Sequence, residues 1–80
     1  MPKNPYIQEL KDMEAELQKR FTYHPPKDDQ ARRYELLRAE GKILAGLIVV
    51  NSPASREQSL ALTKLEEALF WANAAIARNE

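Results

Sequence analysis

Three clusters of side chains in this chain have the chemistry to hold a ligand. The first is Phe21-Thr22-Tyr23-His24-Pro25-Pro26. Two consecutive prolines bar a helix through this stretch, and His24, preceding Pro25, is pushed to extended geometry. A rigid segment thus presents Phe, Tyr and His rings at one place. Such a segment suits either of two roles: a connector whose rings close the end of a helical core, or a stacking platform for a base or other aromatic ligand. The second cluster is Arg38 and Lys42, four residues apart and so on one helical face. They read as a solvated charged face or as a phosphate clamp, Arg supplying a planar fork and Lys a point charge. The third surrounds Ser55 and Arg56, where free backbone N–H groups at a helix start sit beside an Arg side chain. That arrangement can bind an anion, although every helix start has such groups.

None of these clusters is a catalytic constellation. There is one histidine and no cysteine. A lone His24 reads as a hydrogen-bonding structural residue, since no Ser-His-Asp or Cys-His arrangement accompanies it. Glu66 and Glu67 are adjacent and point to different sides of a helix, so they do not form a working carboxylate pair. No phosphate-binding glycine loop, HExxH or EF-hand pattern occurs. The expectation is a protein that is not an enzyme, with no cofactor and no metal site.

Composition narrows the partners. Twelve Lys+Arg balance twelve Asp+Glu, and a neutral chain is poorly suited to polymeric nucleic acid. The longest apolar run, residues 43–50, is far shorter than the ~20 residues that span a bilayer. The first twenty residues are polar and charged, without a secretory signal. Lack of cysteine suits a reducing cytosol. These features predict a soluble, cytoplasmic protein with no membrane partner. Eighty residues make a single domain whose core is marginal alone, and without disulfides or metals the remaining stabilising device is oligomerisation.

The elements that must position these residues are helical. Ser55 and Gln58 form an S-x-x-Q capping box, and Leu62, Leu65, Leu69, Ala72 and Ile76 then step by three and four. Phe70, Trp71, Ala74 and Ala77 lie off that stripe, so the helix over 55–78 is apolar nearly all round in its far half. A helix apolar on every side is buried on every side. The spacing predicts a second helix over 27–50, with Asp28 and Asp29 in its first turn and two apolar stripes, Tyr34-Leu37-Gly41-Leu44-Ile48 and Leu36-Ile43-Leu47-Val50. Its end, residues 43–50, could pass for a buried strand, but continuity with the helical pattern favours helix. Small residues at 41, 45 and 46 would let another helix approach closely. The turn Asn51-Ser52-Pro53-Ala54 suits an antiparallel hairpin. Asn4 and Pro5 read as the cap and first position of a shorter helix over 5–20, whose seam Ile7-Leu10-Met13-Leu17 packs on the other helices or on a neighbouring subunit. The fold class is therefore all-α: a short N-terminal helix plus a long antiparallel helical hairpin, assembling into a homo-oligomer.

Several motifs in order carry a resemblance: F-x-Y-H-x-P at 21–26, Tyr34 and Arg38, P-x-S-R-E at 53–57, and L-T-K-L-E-E-A with W-A-N-A-A-I-A-R within 62–78. Together they resemble the helical-hairpin family of phage cyclic-nucleotide sponges. That family includes anti-CBASS proteins that bind cyclic oligonucleotides and anti-Thoeris proteins that bind cyclic ADP-ribose isomers. The likeness covers about residues 21–80 and is greater to the anti-CBASS branch. It implies a hexamer that sequesters cyclic dinucleotides between subunits without cleaving them, and also cyclic trinucleotides in separate pockets near a three-fold axis.

Carried over residue by residue, the resemblance makes Tyr23 the base-stacking residue, with His24 and Pro25 shaping its loop. Arg38, with Lys42, faces phosphates or base edges. Ser55, Arg56 and Glu57 match P-x-S-R-E as pocket residues, and Arg78 closes the last motif and reaches a second pocket. Trp71 reads as interface packing. The expected partners are thus cyclic oligonucleotides and further copies of the chain. Two other functions stay open: a helical interaction module that inhibits a host protein directly, and a sponge for cyclic ADP-ribose isomers.

Overall fold

The computed structural model describes residues 5–80. Three helices follow in order: α1 (Pro5–Phe21), α2 (Gln30–Asn51) and α3 (Arg56–Asn79), with no strand among the described residues. Residues 43–50 lie wholly within α2, as the helical periodicity requires. The expected cap at Asn4 lies outside the described residues.

The hairpin turn is tied by side chains. Ser55 is the N-cap of α3, and its Oγ accepts from Gln58 N at 3.1 Å. The expected return leg of the capping box is redirected. Gln58 Nε2 donates instead to Ser52 O at 2.9 Å and to Val49 O at 3.2 Å. One glutamine therefore satisfies carbonyls left open where α2 ends while its backbone starts α3.

The open end of the hairpin is closed by a polar clamp. Arg33 forms a two-pronged ion pair with Glu80, one prong at 2.7 Å. Gln30 Nε2 donates to Glu80 Oε1 at 3.2 Å, and Gln30 Oε1 accepts from Lys27 N at 3.1 Å. Gln30 is 3% exposed, and these bonds are what make its burial tolerable. Asp28 and Asp29 correct the expected start of α2. Asp28 has φ 52°, a left-handed conformation in which the helix cannot run, and Asp29 is the N-cap without a side-chain cap bond. The helix begins only at Gln30, because the chain must turn out of the proline segment before it can wind.

Between these ends α2 and α3 meet at Gly41. A Cβ there would lie 2.3 Å from Leu69 Cδ1, so any side chain at this position would have to displace that leucine. A Cβ on Gly46 would meet nothing within 4 Å. Of the two glycines, then, only Gly41 lies against another helix within the chain.

Of the two roles open to the α1 seam, packing on the other helices or on a neighbouring subunit, the first is not what the single chain shows. Ile7, Leu10 and Met13 are exposed, and helix contacts are concentrated between α2 and α3. The radius of gyration is 18.8 Å, against about 12 Å for a compact chain of this length. Among the described residues no hydrophobic side chain is buried. Phe70 and Trp71 are 64% and 61% exposed, so these two rings are uncovered in the single chain, whereas Leu69, Ala72, Ala74, Ile76 and Ala77 are half-buried.

Candidate ligand-binding site

The predicted ligand residues fall into three places. The first is a concavity of about 380 Å³ where the end of α1, the proline segment, the start of α2 and the end of α3 meet. Tyr23, His24 and Arg78 line it, joined by Arg20, Tyr34 and Asn73. The proline segment is positioned by its own histidine: His24 Nε2 donates to Lys19 O at 2.7 Å, a last-turn carbonyl of α1. That bond folds the loop back on α1 and fixes where Tyr23 starts. Tyr23 itself is 80% exposed, a ring with a free face. Arg20 is held by Glu16 at 2.9 Å.

Arg38 and Lys42 line the second concavity, with Glu66 and Phe70 across from them. The two concavities are consecutive. Tyr34, Arg38 and Lys42 step by four along α2, and Glu66, Phe70, Ala74 and Arg78 step by four along antiparallel α3. They run along one side of the hairpin as a groove, with Tyr23 at its open end. Among the described residues none of Arg38, Lys42 and Arg78 is within ion-pairing distance of a carboxylate. The groove thus combines three cations outside ion pairs with two tyrosines, a phenylalanine and one carboxylate, Glu66, a set whose cations and rings suit flat anions.

Ser55 and Glu57 line a third, largely apolar concavity at the hairpin turn, beside Leu47 and Pro53. Arg56 is exposed at the start of α3. Arg38 and the end of α2 are thirteen residues apart, about 20 Å along a helix. Within one chain these residues therefore do not meet the groove. Pro25 stiffens the loop and is exposed.

Sequence reasoning did not place Arg20, Tyr34 and Asn73 at the site. Tyr34 belongs both to an apolar stripe and, beside Arg38, to the motifs that carry the resemblance, and its four-residue offset from Arg38 is the signal that places it at the site. Asn73 Oδ1 is shielded from solvent and has no hydrogen-bond partner. Among the described residues no group of three or more His, Asp or Glu could hold a metal ion, and no helix is long and apolar enough to cross a membrane.

The family model of the Acb2/Tad1 hairpin domain matches residues 13–77. The chain belongs to this family, that of the anti-CBASS and anti-Thoeris sponges. The match takes in the end of α1, the proline segment and the hairpin, and so every groove residue named above except Arg78. Comparison with curated proteins and with solved structures gives no match.

Proposed function

We propose that the protein is a phage anti-defence sponge of the anti-CBASS type. It captures cyclic oligonucleotide second messengers, cyclic dinucleotides foremost and cyclic trinucleotides as further ligands, and holds them uncleaved in the cytoplasm of the infected bacterium. The observation that carries this reading is the groove: Arg38, Lys42 and Arg78 without carboxylate partners, lined up with Tyr23 and Tyr34 in a hairpin of this family. A cyclic dinucleotide presents two phosphates and two bases on a rigid ring that loses little conformational entropy on capture. Tyr23 stacks on a base, and Arg38 forks onto a phosphate, with Lys42 adding charge. Among the described residues no nucleophile paired with a base stands beside them, which favours binding without turnover.

The working form in this reading is a closed homo-oligomer, a hexamer by family likeness. Its support is surface. The accessible area is 6836 Å², about 1,900 Å² more than a compact monomer of this mass exposes. That excess is about twice the ~800 Å² that one partner buries in a standard protein–protein interface. It is concentrated in side chains such as Leu36, Ile43, Val50, Phe70 and Trp71. A neighbouring copy also supplies a way for Ser55, Arg56 and Glu57 to reach a groove that their own chain keeps from them.

Calorimetric titration with cyclic dinucleotides tests the reading. Stacking is worth ~1–3 kcal/mol per base and a charged hydrogen bond ~1.5–3 kcal/mol. Tyr23→Ala or Arg38→Ala should therefore weaken capture by about one to two orders of magnitude. Wild-type protein that takes up a cyclic ADP-ribose isomer and no cyclic dinucleotide would move the assignment to the anti-Thoeris branch. Undiminished binding by both variants would refute the placement of the groove.

A further inference from the structure

Asn73 is the unexplained polar group of the hairpin. It lies on α3 in the wall of the concavity that holds Tyr23, Tyr34 and Arg78. Its Oδ1 is buried and unpaired, whereas Gln30, the buried glutamine at the same end, is bonded through both its carboxamide atoms. Orphaned buried acceptors are rare in native proteins and call for a partner. An acceptor needs a donor, and the phosphates of the ligand proposed above offer none at neutral pH. Donors on a cyclic dinucleotide are confined to its nucleosides: base amino and imino N–H groups and the ribose 2′-hydroxyl. Because Oδ1 holds no bond, turning the carboxamide into the concavity gives up no hydrogen bond at that oxygen.

We propose that Asn73 is a specificity-determining residue of the groove, its side-chain oxygen accepting a hydrogen bond from the nucleoside part of a captured cyclic nucleotide. The assignment rests on the sponge reading and extends it from phosphate capture to recognition of the nucleoside. It also explains why a polar residue stands among Ala72, Ala74 and Ala75 on a helix otherwise apolar there.

The test is calorimetry on wild-type protein, Asn73→Leu and Asn73→Ala, each titrated with three probes. The probes are cyclic di-AMP, its 2′-deoxy analogue and cyclic di-IMP, which lacks the exocyclic amino group. Wild-type protein should bind cyclic di-AMP and lose about tenfold on whichever probe lacks the donor that Asn73 reads. Asn73→Leu, which keeps the branched shape of the side chain, should bind cyclic di-AMP about tenfold more weakly and no longer register that donor. Its melting temperature without ligand should not fall, because no bond is lost and an orphaned group is removed. Asn73→Leu and Asn73→Ala both binding as tightly as wild type would overturn the proposal. So would a loss of affinity in both variants matched by a loss of melting temperature, which marks a purely structural role. Wild-type protein that binds none of the three probes defeats the adenine cyclic dinucleotide reading of the groove on which the proposal rests, a result distinct from an unaltered Asn73 variant.

Discussion

Replacing Gly41 by alanine puts a methyl group where Leu69 now sits. Two effects oppose each other. Alanine is better than glycine in a helix interior by about 1 kcal/mol. The new Cβ, however, would stand 2.3 Å from Leu69 Cδ1 and 3.3 Å from its Cγ and Cδ2, so the leucine must leave its position against α2. Overpacking of this kind costs ~1–3 kcal/mol. The net expectation is a loss of up to about 2 kcal/mol, read as a lower urea midpoint by circular dichroism at one fixed protomer concentration. Leu69→Ala supplies the control. In that background the obstruction is gone, and Gly41→Ala should recover its helical preference and stabilise by about 1 kcal/mol. The double-mutant cycle should therefore show a coupling of ~1–3 kcal/mol between positions 41 and 69. Equal stabilisation by Gly41→Ala in both backgrounds would refute the close approach of the two helices at this point.

Two further predictions concern the exposed faces and the clamp. Trp71 is 61% exposed in the single chain, where a glutamate would be nearly neutral. If another copy covers it, Trp71→Glu buries an unpaired charge, and sedimentation should show the assembly breaking into smaller species; an unchanged sedimentation profile would exclude Trp71 from any interface. The Glu80 carboxyl is lowered to about 2, first by its hydrogen bonds from Arg33 and then by that from Gln30. A carboxyl lowered on folding contributes stability above its unfolded value near 4.5, and that contribution disappears as pH falls toward 2. The stability difference between wild type and Glu80→Gln should therefore be present at pH 5, shrink as pH falls, and vanish only below about pH 2, as followed by urea denaturation; a difference independent of pH would mean that the clamp does not hold Glu80 in solution.

The hairpin was legible because its signals are local. The three- and four-residue apolar steps, the Ser55 cap and the Pro-containing turn each act within a few residues, and α2 and α3 follow them closely. The start of α2 was not legible to the residue. An acidic pair reads equally well as a first turn or as the turn before it, and the left-handed Asp28 decides. Gln58 was found as a capping residue but its reach across the hairpin turn was not, since that depends on where Ser52 and Val49 lie. At the candidate site, residue type marked Tyr23 and Arg38. What joins them is the register between α2 and α3, which brings Asn73 and Arg78 alongside Tyr34. Register is a tertiary property, set here by the Gly41–Leu69 contact and the Arg33–Glu80 clamp. The stand-off of α1 was the least legible feature, because a seam of Ile7, Leu10 and Met13 has the same pattern whether its partner is in the chain or outside it.

Capture without chemistry is the central claim, and release of the ligand tests it most directly. Purified protein is incubated with a cyclic dinucleotide, freed of unbound nucleotide, and then denatured by heat, and the supernatant is read by mass spectrometry. Intact cyclic dinucleotide, recovered in proportion to protein and diminished with Tyr23→Ala or Arg38→Ala, is the predicted result. Recovery of linear or hydrolysed nucleotide would make the protein an enzyme, and recovery of none would contradict capture of cyclic dinucleotides.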